Sequence, residues 1–388
     1  MISKDFPFLY SQNLNKMAKK IDSQKILMEH SKAKVDLLGR YLDRFLNIIS
    51  NDGFTNRIKV YDLFCGEGVY DNGGEGSPIV IMNKVKNLHF INKAKNNNIP
   101  SVDVHFNDIN PVKIEKLKRV INQKNLHYQE FGKLHFSNLD YKHFIEQLAK
   151  ALGKSQKEKA FIFIDPYGYK EVKASEIQKL LEAKNSEVLL FLPTQFMYRF
   201  DKNGTPKALM EFIGEIVDYE KWEENTSVWS FIDQMKNGFR QYLGADFFVD
   251  TFTIQKDPKT VYCLFFFSSH IRGFEKMLEA KWELDSDQGR GWSYETTFDL
   301  FSSFKTNKLA EALEVFLKEE KKYNGDVYEF VLHQGFLPTH ANEVFKNWQN
   351  KNKLLTLSDG GEKVRRSAFY ISYDNYKNNP NRVYYKLN

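Results

Sequence analysis

Arg57-Ile58-Lys59-Val60-Tyr61-Asp62-Leu63-Phe64-Cys65-Gly66-Glu67-Gly68 begins as a strand and ends as a glycine loop. Ile58, Val60, Leu63 and Phe64 give the apolar content of a buried strand over 57–64. Gly66 and Gly68 tolerate φ > 0 and, lacking Cβ, let a ligand approach the backbone. The loop continues through Gly73-Gly74-Glu75-Gly76 to Ser77-Pro78, an N-cap followed by proline at the first helical position. A dinucleotide fold would want a third glycine opening a helix directly, and this loop is much longer.

Outward from this stretch, a strand ending in a polar group recurs three times. Strands are expected over 101–106, 133–136 and 160–164, ending at Asp108, Asp140 and Asp165. A fifth is expected over 187–192. Helices are expected over 79–95, 113–125 and 141–152, and again over 206–217 and 228–242. Strands over 247–254 and 260–269 then flank the turn Lys256-Asp257-Pro258-Lys259. Alternating strands and helices closed by a hairpin predict a mostly parallel sheet with one antiparallel strand. This is the α/β, seven-stranded, Rossmann-like layout of class I S-adenosylmethionine (SAM) methyltransferases. An NAD-binding sheet lacks the final hairpin.

In that layout Asp62, Phe64, Gly66 and Gly68 would border the methionine and ribose parts of SAM. Asp108, with Asn110 beside it, is expected to accept from the ribose hydroxyls, and Asp140 from the adenine amine. Each acid alone can equally be a helix cap or a turn residue. Four strand ends in sequence, each with the expected group, make the SAM assignment. Asp165-Pro166-Tyr167 is similar to the Asp/Asn-Pro-Pro-Tyr/Phe tetrad of methyltransferases that modify exocyclic amines of nucleobases, and this resemblance implies that it is the catalytic element. An exocyclic amine gives its lone pair to the ring and is a poor nucleophile. Asp165 and a neighbouring backbone carbonyl would accept its two protons. Pro166 has no N–H and leaves nearby carbonyls free, and Tyr167 offers a flat surface to a flipped base. A cytosine-C5 methyltransferase shares the Asp-Leu-Phe-x-Gly-x-Gly opening but needs a thiolate after the fourth strand, where neither Cys65 nor Cys263 lies. A nuclease would need clustered acids for metal, and one acid per strand suits SAM better.

The chain has 388 residues, 42% hydrophobic and 27% charged, which fits a soluble globular protein of two or three domains. No apolar run approaches a membrane span, 261–267 included. Residues 1–20 lack the apolar centre of a signal peptide, so a cytoplasmic location is expected. Two cysteines exclude a disulfide framework and a cysteine-only metal site, and the nine histidines show no paired spacing, so no metal is assigned. A net charge of +6 fits nucleic-acid contact without requiring it. A helix over 17–51 carries Lys32, Lys34, Arg40 and Arg44.

Residues 307–388 read as a small separate domain. Helices over 308–323, 326–334 and from Thr339 to 352 precede a hairpin of 354–357 with 368–371, the winged helix-turn-helix pattern. The expected division is an N-terminal helical extension (1–53), a SAM-methyltransferase-like domain (54–304) and a winged-helix-like domain (305–388). Thr339, His340 and Asn342 would open the recognition-like helix. Lys346, Lys351, Lys363, Arg365 and Arg366 would contact phosphates of nucleic acid, although each alone can be solvated surface.

With these elements placed, the chain resembles the three-Cys-motif partner protein family, bacterial and phage-associated class I methyltransferase-like proteins. The matching elements are the loop from Asp62 to Gly68, Glu75-Gly76-Ser77-Pro78, Asp165-Pro166-Tyr167-Gly168, the winged-helix-like tail, His30-Ser31-Lys32-Ala33-Lys34 and the helix around Tyr41-Leu42. They span most of the chain. The resemblance implies a SAM-binding fold and a partner, a radical-SAM-like protein that carries the three cysteines. The family's reaction is poorly defined, so both an amine methyltransferase acting on DNA or RNA and a SAM-binding adaptor stay open. The amine-methylating tetrad has a second proline where Tyr167 stands. The Asp-Pro-aromatic-Gly form is similar to that of the tRNA guanine-N2 dimethyltransferases, which leaves adenine and guanine both open.

Overall fold

The computed structural model describes residues 27–202, 206–294 and 304–388. Strands β1 (Arg57–Asp62), β2 (Ser101–Asn107), β3 (Leu134–Ser137), β4 (Glu158–Ile164), β5 (Ser186–Leu192), β6 (Phe248–Asp257), β7 (Thr260–Ser268) and β8 (Gly291–Ser293) form one sheet. Their order is β3-β2-β1-β4-β5-β7-β6-β8. β1 to β5 run parallel, and β7 lies antiparallel between β5 and β6. The first seven strands have the expected class I methyltransferase order. The sheet has eight strands, however, and not seven.

The eighth comes from a segment that reads as a loop. Gly291 and Trp292 pair in parallel with Thr253 and Ile254 on the outer edge of β6. A Cβ on Gly291 would sit 2.1 Å from the Thr253 carbonyl oxygen, so only glycine approaches this closely. The Asp285 carboxylate accepts from the backbone N–H of Gln288, Arg290 and Gly291 at 2.8–3.1 Å and ties the strap down. The strap covers what would otherwise be an open sheet edge.

Helices α1 (Glu29–Ser50), α2 (Ser77–Ala94), α3 (Pro111–Gln123), α4 (Tyr141–Leu152), α5 (Ala174–Leu181), α6 (Thr194–Lys202), α7 (Lys207–Ile216), α8 (Val228–Leu243) and α9 (Ile271–Leu284) flank the sheet. Side chains alternate between its faces, so β1 gives Ile58 and Val60 to the core under α1, α2, α3 and α9. It gives Tyr61 to the core under α4, α5, α7 and α8. The expected N-terminal helix is α1, and it begins only at Glu29; residues 17–26 lie outside the described residues.

α1 is anchored from both sides. The Tyr41 hydroxyl donates to the buried Glu187 carboxylate, which also accepts from Ser268 Oγ at 2.8 Å. Arg40 pairs with Glu283 of α9 at 2.7 Å. Lys34 lies seven residues before Tyr41, on the same helix face, so these bonds also aim Lys34 at the sheet.

The C-terminal part holds α10 (Phe304–Glu319), β9 (Lys322–Tyr323), α11 (Asn324–His333), α12 (Pro338–Asn350), β10 (Leu354–Ser358), α13 (Tyr373–Asn378) and β11 (Val383–Leu387), with sheet order β10-β11-β9. The three helices α10 to α12 and the small antiparallel sheet match the winged pattern, and the short α13 is an addition to it. The expected hairpin is corrected: β10 pairs with β11, and 368–371 is not a strand. Ser367 and Tyr370 have φ of 62° and 57°, left-handed values that break an extended run. Among the described residues no helix is long and apolar enough to cross a membrane.

Candidate functional site

The strand order reverses between β1 and β4, whose neighbours continue in opposite directions. In open parallel sheets a ligand crevice lies outside the carboxyl ends of the strands at such a point. Here a cleft of about 520 Å³ opens there, lined by the glycine loop after β1, the turn after β4, and side chains from α1, α3, β5 and β7.

The glycine loop is built as expected. Gly66 and Gly68 have φ of 64° and 84°. A Cβ on Gly68 would come 2.6 Å from Leu117 Cδ1 of α3, so the loop packs tightly on that helix. Gly76 N donates to Gly68 O at 2.8 Å and closes the loop where α2 begins. Lysines in and just after α3 hold both loop glutamates: Lys116 pairs with Glu67 at 2.7 Å and the C-cap Lys124 with Glu75 at 2.8 Å.

Two expected acids lie beneath the cleft rather than open to it. Asp62 is fully buried and accepts from Ser77 Oγ at 2.7 Å through Oδ2, while its Oδ1 has no partner. Burial, moderated by the Ser77 bond and reinforced by the Asp165 charge, pushes its carboxyl up to about 7. Asp108 is also buried. It accepts from Gly66 N at 3.1 Å, Asn110 N at 2.8 Å and the Tyr167 hydroxyl at 3.4 Å. Phe64 stacks on Tyr141 at 5.2 Å and meets the Tyr167 ring edge-on at 6.3 Å.

Asp165, Pro166 and Tyr167 line the cleft together, as expected. Tyr167 is 54% exposed at the mouth, with the Lys113 ammonium bonded to its hydroxyl and 4.7 Å from its ring centre. Asp165 has a partner that sequence reading did not find, the Lys34 ammonium of α1. Burial alone would lower the Lys34 pKa, but the Asp165 charge and hydrogen bond outweigh it and raise the pKa above its ordinary value. In sequence Lys34 stands only as a charged residue of the N-terminal helix and as part of the His30-to-Lys34 element, and neither points to Asp165, which is 131 residues away. Phe191 and Tyr262 from the expected strands, His30 from the N-terminal helix and Tyr70 from the glycine loop also line the cleft, and none of them is among the expected site residues.

Other expected residues lie elsewhere. Asp140 is exposed and caps α4 by accepting from Lys142 N at 3.0 Å. Asn110 caps α3 by accepting from Val112 N at 2.9 Å. In both cases the ordinary capping preference accounts for the acid or amide at the strand end. In the winged part Thr339, Lys346, Lys363, Arg365 and Arg366 are exposed, with Arg366 donating to Asn350 Oδ1 at 2.6 Å. Asn342 is half-buried. His340 packs edge-on against Trp282 at 4.4 Å, and its Nδ1 accepts from Leu337 N, so it belongs to the junction with α9.

Sequence spacing showed no metal ligands, but the fold brings Asp103, His105 and His135 together, with ligand-type atoms within 4.8 Å of one another. The two imidazoles stack face to face at 4.3 Å with planes 12° apart, so their in-plane lone pairs run nearly parallel and do not converge. Asp103 accepts from Lys133 N at 2.8 Å and faces Arg57 at 3.5 Å. This group is a cross-strand stack at the sheet edge, extended by Tyr61 on His105 at 4.5 Å.

Residues 284–361 match the family described as a GMT-like wHTH domain. The match runs from the end of α9 into the wing after β10, so the helix expected to contact DNA or RNA sits inside the wHTH domain. No curated protein matches the chain. Among solved structures it is similar to Trm1 from Pyrococcus horikoshii with S-adenosyl-L-methionine, at 15% identity and TM-score 0.36. That likeness covers 67% of this chain and 61% of that one. It is also similar to the O-methyltransferase TomG from Streptomyces achromogenes in complex with SAM, at 10% identity and TM-score 0.33 over 60% of this chain and 79% of that one. A third is an O-methyltransferase from Bacillus cereus in complex with SAH, at 12% identity and TM-score 0.31 over 66% and 95%. Likenesses of this depth do not bear on substrate.

Proposed function

We propose that this protein is a SAM-dependent methyltransferase whose acceptor is an exocyclic amine of a nucleobase in DNA or RNA. The observation that supports it is the meeting of the glycine loop, underlain by Asp62 and Asp108, with Asp165-Pro166-Tyr167 in one cleft at the sheet's reversal point. The residues fit SAM. Asp62 offers a buried oxygen without a partner to a donor group, and at Gly66 a Cβ would meet nothing within 4 Å, so the loop backbone is open. Phe64, Gly66 and Gly68 would hold the cofactor with Asp62 below. Asp108 would reach it by giving up the long bond from Tyr167. Asp140 and Asn110 remain helix caps.

When bound, SAM supplies an activated, positively charged methyl group. The chain's contribution is positioning and electrostatics. Asp165 would accept a proton of the acceptor amine and direct its lone pair toward the methyl donor. Pro166 stiffens the turn, and Tyr167 forms the wall at the mouth. The exposed Lys346, Lys363, Arg365 and Arg366, with Thr339 and Asn342, would hold phosphates. A cytoplasmic three-cysteine-motif, radical-SAM-like partner belongs to this proposal on the sequence resemblance. A SAM-binding adaptor is the second reading, and one observation favours it: Lys34 already takes one of the two Asp165 carboxylate oxygens, Oδ2.

Incubation of bulk tRNA and denatured genomic DNA with the protein and SAM, followed by nucleoside mass spectrometry, tests the activity. An N-methylated nucleoside above the heat-killed control is expected. SAM binding by calorimetry without any methylated product would leave the adaptor standing and sink the enzyme.

A pH effect follows from Asp62. SAM carries a positive sulfonium and ammonium, so the ionised carboxylate favours binding. With its pKa raised to about 7, Asp62 takes up a proton as pH falls through 7. SAM affinity is expected to fall by up to about tenfold per pH unit below that point. Calorimetry from pH 6 to pH 8 reads it, and Asp62→Asn should flatten the profile. A wild-type affinity that is level across neutrality would exclude Asp62 from the cofactor site.

A further inference from the structure

The cleft has two walls of different chemistry. One carries the glycine loop, Lys113 and Tyr167, whose hydroxyl is bonded toward Asp108 and Lys113. This wall lies on the β1–β2 side and is taken up by the features that fit SAM. The other wall lies on the β5–β7 side. There the Phe191 and Tyr262 rings stack at 5.3 Å, and the His30 ring stacks on Tyr262 at 5.7 Å with planes 14° apart. The Lys34 ammonium sits 4.5 Å from the Phe191 ring centre and pairs with Asp165. β4 lies between β1 and β5 in the sheet, so Asp165 stands between the two walls.

We propose that His30, Lys34, Phe191 and Tyr262 form the acceptor subsite, and that it takes a planar heteroaromatic ring with a hydrogen-bond acceptor beside an exocyclic amine. This deepens the function proposed above and rests on it for the reaction, though not for binding.

The edge chemistry is matched on both sides. A carboxylate offers about four lone-pair sites over two oxygens, so Asp165 keeps Oδ1 for an amine proton while Oδ2 holds Lys34. The ammonium has three protons, of which one meets Asp165, leaving others for a ring nitrogen or carbonyl. Adenine, cytosine and guanine each present such an acceptor next to the amine. The face chemistry agrees. Phe191 and Tyr262 supply π surface, and His30 is a neutral ring at pH 7, since burial, with Lys256 and Lys34 nearby, lowers its pKa to about 4. A buried ammonium also discriminates: a ring with no acceptor at that edge would leave Lys34 desolvated without a further partner.

The test uses the full chain saturated with S-adenosylhomocysteine. Fluorescence anisotropy compares short single-stranded oligodeoxyadenylate and oligodeoxycytidylate with an abasic oligomer of equal length and charge. Base-bearing strands are expected to bind about tenfold more tightly or better, the scale of one to two stacked bases. Lys34→Met and the milder Phe191→Leu should each cut that ratio at least about threefold, a loss well inside what one stacking or edge contact contributes. Affinity for the abasic strand and for S-adenosylhomocysteine should not move. A ratio near one in the wild type, or a ratio that both variants leave intact, overturns the subsite. Persistence of the ratio without any S-adenosylhomocysteine binding would sink the methyltransferase assignment and leave the subsite standing.

Discussion

Asp165→Ala is expected to lower methyl transfer at least about 100-fold while SAM affinity stays within about twofold of wild type. The expectation rests on where Asp165 stands. It follows β4, is half-buried in the cleft, and is hydrogen-bonded to Lys34 rather than to the glycine loop that Asp62 and Asp108 underlie. Its charge reaches the cofactor side only by raising the Asp62 pKa, so affinities are compared at pH 8, where Asp62 is ionised in both proteins. Loss of Asp165 therefore removes an acceptor for the amine proton without touching the loop. Asp165→Asn separates two contributions. An amide oxygen still accepts a proton from the amine, so activity should fall less than in the alanine variant. It gives Lys34 no counter-charge, however, so the Asn variant should lose some acceptor affinity as well. Both changes strand an ammonium whose pKa is held up against burial only by Asp165 and its neighbours. That costs stability on the order of 1–3 kcal/mol, so denaturant unfolding must accompany the assay. Tritiated-methyl incorporation at equal folded protein decides the matter. Turnover of Asp165→Ala within a few-fold of wild type would remove Asp165 from the mechanism.

The parallel part of the sheet was legible because its strands advertise themselves. Phe161-Ile162-Phe163-Ile164 is apolar on both faces, as a central parallel strand must be, and a polar turn follows it. Position 165 was recognisable for the same reason. Asp108 and Asp140 show the limit of that logic. Both follow short parallel strands in similar context, yet one is buried under the glycine loop and the other is an exposed cap. Only the packing of the preceding strand decides which. β8 was illegible because Gly291-Trp292-Ser293 has no strand pattern of its own and is held by β6 and by the Asp285 turn. β11 was missed for a related reason. Val383 and Tyr385 alternate correctly, but the three-residue core face is too short to outweigh the Asn- and Pro-rich run before it. The second wall of the cleft was hidden by distance. Lys34, Asp165, Phe191 and Tyr262 come from four elements, and each looks like an ordinary helix, turn or core residue in its local context.

Lys281→Met is expected to destabilise the folded protein by about 3–5 kcal/mol, because it leaves a buried carboxylate without its counter-ion. Lys281 of α9 and Asp250 of β6 pair with side chains only 5% and 7% exposed. Burial would raise the Asp250 pKa, but Lys281, with Lys236 and a hydrogen bond, outweighs it and holds the carboxyl below its ordinary value. A depressed folded pKa means that the pair's contribution is full at neutral pH. It is lost as pH falls from about 4, the unfolded value, through the lower folded one. The next residue, Trp282, donates from Nε1 to the Gly335 carbonyl at 3.0 Å, and Glu275 two turns earlier on the same face accepts from Tyr328 at 3.0 Å. α9 thus joins the sheet to the wHTH domain, and its anchor on β6 is the Lys281–Asp250 pair. Loss of that anchor should loosen both parts, seen as a lower denaturant midpoint and faster amide exchange in α9 and α11. The double change Lys281→Met with Asp250→Leu removes both charges and should recover most of the loss, since a well-packed apolar pair matches or exceeds a buried ion pair. It should also flatten the acid limb of the stability profile. A single Lys281→Met variant as stable as wild type would show that Asp250 is not held by this pair, and would take from α9 its role as the link between the two parts.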